Sequence, residues 1–304
     1  MQPLPRPPRP PRPQRSEPVR HFGGKTIPEF LFQRILISAG LLTFAHAASA
    51  DCRGETICVD AISQGGNVEL HAKNLREYPI TYTLRIRSRD WVVDGPKTVT
   101  RTLAPNESEQ VMVLSNDDPS SENDYRYSLD WTVGDKDAVH DDDHIYSLPY
   151  ASGKSYRVVQ GYGSRFSHTG LERFAVDLDM PTGAPVHAAR SGVVARVEES
   201  HVKGCWEDDC GRFANYIVIL HSDGTTGEYY HLRRNGALVD VGDNVTQGQQ
   251  IGLSGNTGHT TMPHLHFAVY RAVDWGRTQS IPVRFQGADG MIDRPRRGAR
   301  YRAL

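Results

Sequence analysis

The chain has no apolar run of membrane-spanning length. Its longest uncharged stretch near the start, between Arg34 and Asp51, is 16 residues, short of the roughly 20 that cross a bilayer. It has almost no net charge, with 35 basic against 36 acidic side chains, which removes the electrostatic reason to expect a polyanionic partner such as nucleic acid. It has only 4 cysteines in 304 residues, and none lies at C-x-x-C spacing. Cys52 with Cys58 and Cys205 with Cys210 therefore read as two short-loop disulfides of an oxidising compartment, not as zinc knuckles or a redox motif. Repeats of 20 to 50 residues are absent, as is helical periodicity in the C-terminal half, which excludes a solenoid and leaves strands.

What is present divides the chain into segments. A length of 304 residues predicts two modules with appendages. Residues 1–29 are rich in proline and arginine and too poor in apolar groups to fold, so they read as disordered. Residues 30–50, with an apolar core from Ile35 to Phe44 and Ala48-Ser49-Ala50 before Asp51, have the order of a secretory signal peptide. Cleavage after Ala50 and export to the periplasm or beyond is the expectation; an uncleaved anchor is the alternative. Asp51 before Cys52 excludes a lipoprotein.

Residues 51–147 show period-two alternation, as in Tyr82, Leu84, Ile86 and in Tyr125, Tyr127, Leu129, Trp131, and predict a β-sandwich-like accessory module. His140, the Asp141–Asp143 run and His144 read as a solvated loop closing it, in preference to a metal site. Residues 155–285 are again strand-rich, with β-branched runs at 193–197 and 216–220 and a turn at Asp223-Gly224. Residues 286–304 read as a basic tail, either frayed or suited to anionic envelope polymers.

The densest chemistry lies in Pro263-His264-Leu265-His266-Phe267-Ala268-Val269-Tyr270. Its odd positions are apolar and its even positions put two imidazoles on one face, about 7 Å apart from the strand rise, so one can ligate a metal while the other reaches a substrate. A catalytic zinc takes three protein ligands and keeps a fourth position open. His168 offers a second ligand, and Asp177 or Asp179 a third; residue chemistry alone leaves the two aspartates open. Gly242, Gly248, Gly252, Gly255 and Gly258 lack the helix and lysine of a phosphate loop and read as turns. His187, His201 and His259 read as non-ligands, and His221 as packing or support.

Taken in order, SHTG (167–170), AVDLDMPTGAPVHAARSGVV (175–194), NYIVILHSDG (215–224), YYHL (229–232), VDVGDNVTQGQQIGLSGNTG (239–258) and PHLHF (263–267) resemble the lysostaphin and LytM type of zinc metallopeptidases. The resemblance implies a barrel-sandwich-hybrid catalytic domain after the accessory module, hence a mainly β chain. It implies one zinc on His168, Asp177 and His266, and selects Asp177 over Asp179. It also implies that His231 and His264 line the cleft, with His264 as general base and His231 as transition-state stabiliser, or the reverse. The family commonly places the first histidine four residues before the aspartate, where this chain has Arg173; the His168–Asp177 interval resembles a variant with a short loop there. The implied activity is a metal-dependent endopeptidase acting on peptidoglycan peptides in the cell envelope. The alternatives are a non-catalytic activator of another wall hydrolase and a secreted protease of ordinary proteins.

Overall fold

The computed structural model describes residues 50–116 and 125–304. The segment 1–29 and, except for Ala50, the expected signal peptide lie outside the described residues. Within them the only helical elements are two 3-10 turns, Gly170–Glu172 and Asp208–Phe213, and no helix is long and apolar enough to cross a membrane.

The first module is two stacked sheets. One runs in the order Asp51–Arg53, Ile57–Gln64, Asn67–Asn74, Ser108–Ser115, Val92–Val93; the other has Ile80–Ser88 between Thr98–Leu103 and Tyr125–Val133. Gly65 and Gly66, both at positive φ, form the two-residue turn that sets Gln64 opposite Asn67, because their backbone twist matches that of the flanking strands. Leu70, Leu114, Ile57 and Val59 from one sheet pack with Tyr82, Leu84, Ile86 and Leu129 from the other. Each fully buried side chain of this size contributes about 1.5–3 kcal/mol. Cys52 and Cys58 are register partners on adjacent strands and form a disulfide.

Alternation predicts that Thr81 and Thr83 face water, yet both are buried. The second module covers that face. Thr83 Oγ1 accepts the Trp275 backbone N–H, Tyr78 donates its hydroxyl to Ala195 O, and Arg85 stacks over the Trp275 ring. Ala195 and Val218 of the second module belong to the same buried cluster as the sandwich core. The sandwich core thus extends onto the second module, which keeps a separate core of its own.

The second module is built on a nine-stranded sheet. Its central strands run Gly192–Glu198, Tyr216–Leu220, Thr226–Tyr230, Leu265–Ala272, Val176–Leu178 and Ser155–Gln160. A three-stranded sheet, Pro185–His187, Gln250–Ser254 and Leu232–Ala237, packs on it through Val186, Ile251 and Leu232 against Ile217, Tyr229 and Phe267.

Two expectations about boundaries change. The strand Ile145–Ser147, assigned by sequence to the accessory module, pairs in parallel with Arg284–Gly287, and Tyr146, Leu148 and Tyr150 enter the second core. The segment 286–304 is woven in and not frayed: Arg300–Arg302 pairs with Ser155–Arg157, and Ala303 is buried. Its arginines are exposed while Tyr301 packs on the core.

Candidate metal centre

Strand register assembles the site as a row across four strands. Tyr230 is the partner of His266, His266 of Asp177, and Asp177 of Gln160; directly opposed residues hold their Cβ atoms about 4.5–5.5 Å apart. His168 arrives from the loop that follows, and the 3-10 turn Gly170–Glu172 absorbs the extra residues before Asp177. Ligand atoms of His168, Asp177 and His266 lie within 4.8 Å of one another. Asp177 Oδ1 is 2.8 Å from His266 Nδ1 and 3.2 Å from His168 Nε2. Arg173, at the position where a histidine is common, is exposed and its guanidinium lies over the Phe174 ring. Asp179 pairs with Arg157 instead and stays outside the cluster.

The hydrogen bonds decide which imidazole atoms are free to ligate. His168 Nδ1 faces the Gly161 carbonyl at 3.3 Å and must donate to it, since a carbonyl only accepts. That leaves Nε2 as a bare lone pair, and it is buried with no hydrogen-bond partner despite the nearby carboxylate. An unsatisfied buried acceptor is costly, and a metal ion would satisfy it. His266 Nε2 reaches the Tyr270 hydroxyl at 3.1 Å, and Tyr270 donates onward to Glu172 at 2.5 Å. This fixes His266 Nε2 as the N–H and turns Nδ1 toward Asp177, an arrangement typical of ligating histidines. Gln160 holds the other oxygen, donating to Asp177 Oδ2 at 2.7 Å. Two neutral nitrogens and one carboxylate suit zinc.

Electrostatics follow from burial and these contacts. Burial alone would lift the Asp177 carboxyl, but the His168 and His266 imidazoles outweigh it and hold it well below the usual carboxylate range. Burial would likewise depress His266, yet Asp177 and Glu172 push it up to about 10. Without metal, therefore, a proton occupies Nδ1. His231 and His264 go the other way. Burial, reinforced by His264 and His266, lowers His231 to about 3, and burial is also the main cause of the lowered His264.

Each of these two histidines donates Nδ1–H to a backbone carbonyl, His231 to Thr257 at 2.7 Å and His264 to Met262 at 2.8 Å. Both thus present an unprotonated Nε2, their ring centroids 4.5 Å apart. His231 occupies the left-handed region at φ 65, which costs a non-glycine residue energy and is characteristic of functional sites.

All five sequence-selected residues line one cleft of about 490 Å³. The His140–His144 run does not form a metal cluster; His140 bonds Asp142 and Tyr146. Cys205 and Cys210 close a disulfide, so with Glu207 they offer no thiolates to a metal. His221 is buried beside Tyr146 and outside the cleft, where Nδ1 bonds Thr225. Sequence reasoning passed over Gln160, Glu172 and Tyr270. Tyr270 was findable: it continues the even-numbered face of His264 and His266. Gln160 and Glu172 carry no local signal, since they reach the site only through non-local pairing.

The matched family model is Peptidase family M23, over residues 172–280. Residues 172–280 are therefore an M23 peptidase domain. Among curated proteins it is similar to peptidoglycan DD-endopeptidase ShyA of Vibrio cholerae serotype O1, 35% identical over 39% of this chain and 26% of that protein. It is also similar to lysostaphin of Staphylococcus simulans, 37% identical over 37% of this chain and 21% of that protein. The chain thus spans about a quarter of the length of these curated relatives. Among solved structures, the catalytic domain of S. simulans lysostaphin is 33% identical, covering 41% of this chain and 88% of that one, with a TM-score of 0.32.

The M23 match contains Asp177, His231, His264 and His266 and begins after His168. The placement of His168 therefore rests on the geometry above. Outside the M23 match, the 161–168 loop contributes Phe166, and the C-terminal segment contributes Arg297, to the cleft wall. Inside it, the disulfide-closed loop contributes Trp206, whose ring stacks on Phe166 at 5.2 Å and on His259 at 4.2 Å.

Proposed function

We propose that this chain is a zinc-dependent endopeptidase that hydrolyses peptide bonds of bacterial peptidoglycan in the cell envelope. The observation that carries the reading is the convergence of His168, Asp177 and His266 on one point at the base of a cleft, with two neutral imidazoles beside it. His168 Nε2, an Asp177 oxygen and His266 Nδ1 would hold the ion. Zinc supplies, when bound, a water acidified to about pKa 7 and a polarised carbonyl.

The chain's own residues do the rest. His231 and His264 each offer Nε2 as a proton acceptor; whichever takes the proton becomes a donor toward the developing oxyanion or the leaving amine. Their fixed Nδ1–H bonds keep the acceptor atom in the cleft throughout. Gln160, Tyr270 and Glu172 orient the ligands. The names of the curated relatives, a peptidoglycan DD-endopeptidase and a glycyl-glycine endopeptidase among them, support the substrate class, and the two disulfides support export. A complete residue set speaks against a non-catalytic activator.

The test is digestion of purified sacculi by the exported form, with and without a chelator. Chelator-sensitive release of peptide fragments, restored by zinc, is the expected result. Wall material left intact under both conditions overturns the reading.

A further inference from the structure

The cleft is almost without free charge. Of its acidic residues, Asp177 is committed to His266 and Gln160, Glu172 to Tyr270 and His266, and Glu228 is buried with hydrogen bonds from Thr226 and Tyr230. The histidines beside the site present neutral acceptors. Among the described residues lining the cleft, one permanently charged cation remains, Arg297; it is exposed and has no ion-pair partner there.

Arg297 is not on a loose end. Tyr162 and Val158 donate their N–H groups to Pro295 O and Ala299 O, and Gly298 donates back to Val158 O. Gly161 leaves the space for this approach, since a Cβ there would stand 2.1 Å from Pro295 O. The backbone on both sides of Arg297 is therefore clamped to the strand that carries Gln160. That fixes the point on the cleft wall from which the Arg297 side chain extends.

We propose that Arg297 is a specificity-determining residue that binds a free carboxylate of the substrate, so that the preferred substrate is a peptide carrying an unblocked carboxylate close to the scissile bond. This rests on the reading of the cleft as a peptide hydrolase. A guanidinium presents paired N–H donors that match a carboxylate in two-point contact. The carboxylates of the cleft are each held by other partners and none is paired with Arg297, which leaves its guanidinium available for that contact. A neutral or amidated peptide gains nothing from it.

The test compares crosslinked muropeptide dimers with the same dimers after carbodiimide amidation of their carboxylates, using the intact protein and its Arg297→Gln and Arg297→Lys variants. For the intact protein, amidation lowers kcat/KM about tenfold, mainly through KM, as expected of a charge-assisted contact at a partly exposed site. Arg297→Gln shows the same loss on native dimers and no further loss on amidated ones; Arg297→Lys falls between. Equal losses on both substrates, or none on native dimers, overturn the proposal.

If the intact protein cleaves neither substrate, the hydrolase reading fails. Binding then decides the proposal separately: quenching of tryptophan fluorescence titrated with each dimer should show preference for the carboxylate form in the intact protein and not in Arg297→Gln. Equal binding of both forms by the intact protein overturns it.

Discussion

Asp177 touches His168 and His266 through a single oxygen while its other oxygen is held by Gln160. Removing it should abolish the metal site outright: Asp177→Ala is expected to lose bound zinc and about a thousandfold or more in kcat/KM, read by elemental analysis beside the assay. His231→Ala and His264→Ala should keep zinc while kcat drops by about 10²–10⁴. Loss of metal in either would reassign that residue as a ligand. Tyr270→Phe frees the His266 ring from its support and should weaken zinc binding by about 10–100-fold, measured by competition with a chromogenic chelator.

His221 makes a different prediction at the same scale, about stability. It is buried, its Nε2 has no partner, and burial, with the Arg190 charge, lowers it to about 3, whereas the unfolded chain titrates at about 6.5. Below pH 6.5 the unfolded state takes up a proton that the native state refuses. Stability is full above that pH and falls toward pH 3 by up to about 1.4 kcal/mol per unit. His221→Gln should flatten the denaturation free energy between pH 6 and 4 relative to the parent. An unchanged slope would mean that the native site accepts the proton.

At the scale of elements, the Cys205–Cys210 loop is the piece most tied to the cleft. It presents Trp206 between Phe166 and His259, drawing three separate segments into one ring stack. Cys205→Ser with Cys210→Ser removes a closure worth about 2 kcal/mol by chain entropy and frees Trp206. The expected outcome is a raised KM with zinc content unchanged; an unaltered KM would show that the stack does not contact substrate.

Individual strands were legible from alternation, because one face of each needed burying, and so was His266; Asp177 could not be told from Asp179 by pattern and was selected by the family resemblance, and only the register shows it opposite His266. The pairing of Arg300–Arg302 was not read, although Tyr301 and Ala303 alternate with Arg300 and Arg302 as an edge strand should; the density of arginine concealed a period of two. Parallel pairing of Ile145–Ser147 with Arg284–Gly287 joins segments far apart in the chain, and local pattern carries no trace of that. His168 was legible as a ligand type, but whether it reached the aspartate depended on a loop conformation.

At the scale of the molecule, the accessory module is bonded into the catalytic one. Tyr78 bonds Ala195, Thr83 bonds Trp275, and Ala195 and Val218 are buried in the same cluster as the sandwich core. Unfolding monitored by Trp131 at the interface and by far-UV signal should therefore superimpose in one transition. Deleting residues 51–144 should yield a catalytic module that aggregates, because it uncovers a contiguous apolar patch. Two separated transitions would show that the modules are independent.

The Arg300–Arg302 strand also works as a strut. Gln160, which steadies Asp177, sits on the strand whose opposite edge is filled by Arg300–Arg302, and the same segment supplies Arg297 to the cleft wall. A change in that segment would therefore be felt at Asp177 through backbone pairing, at a distance and without touching any residue that would hold a metal.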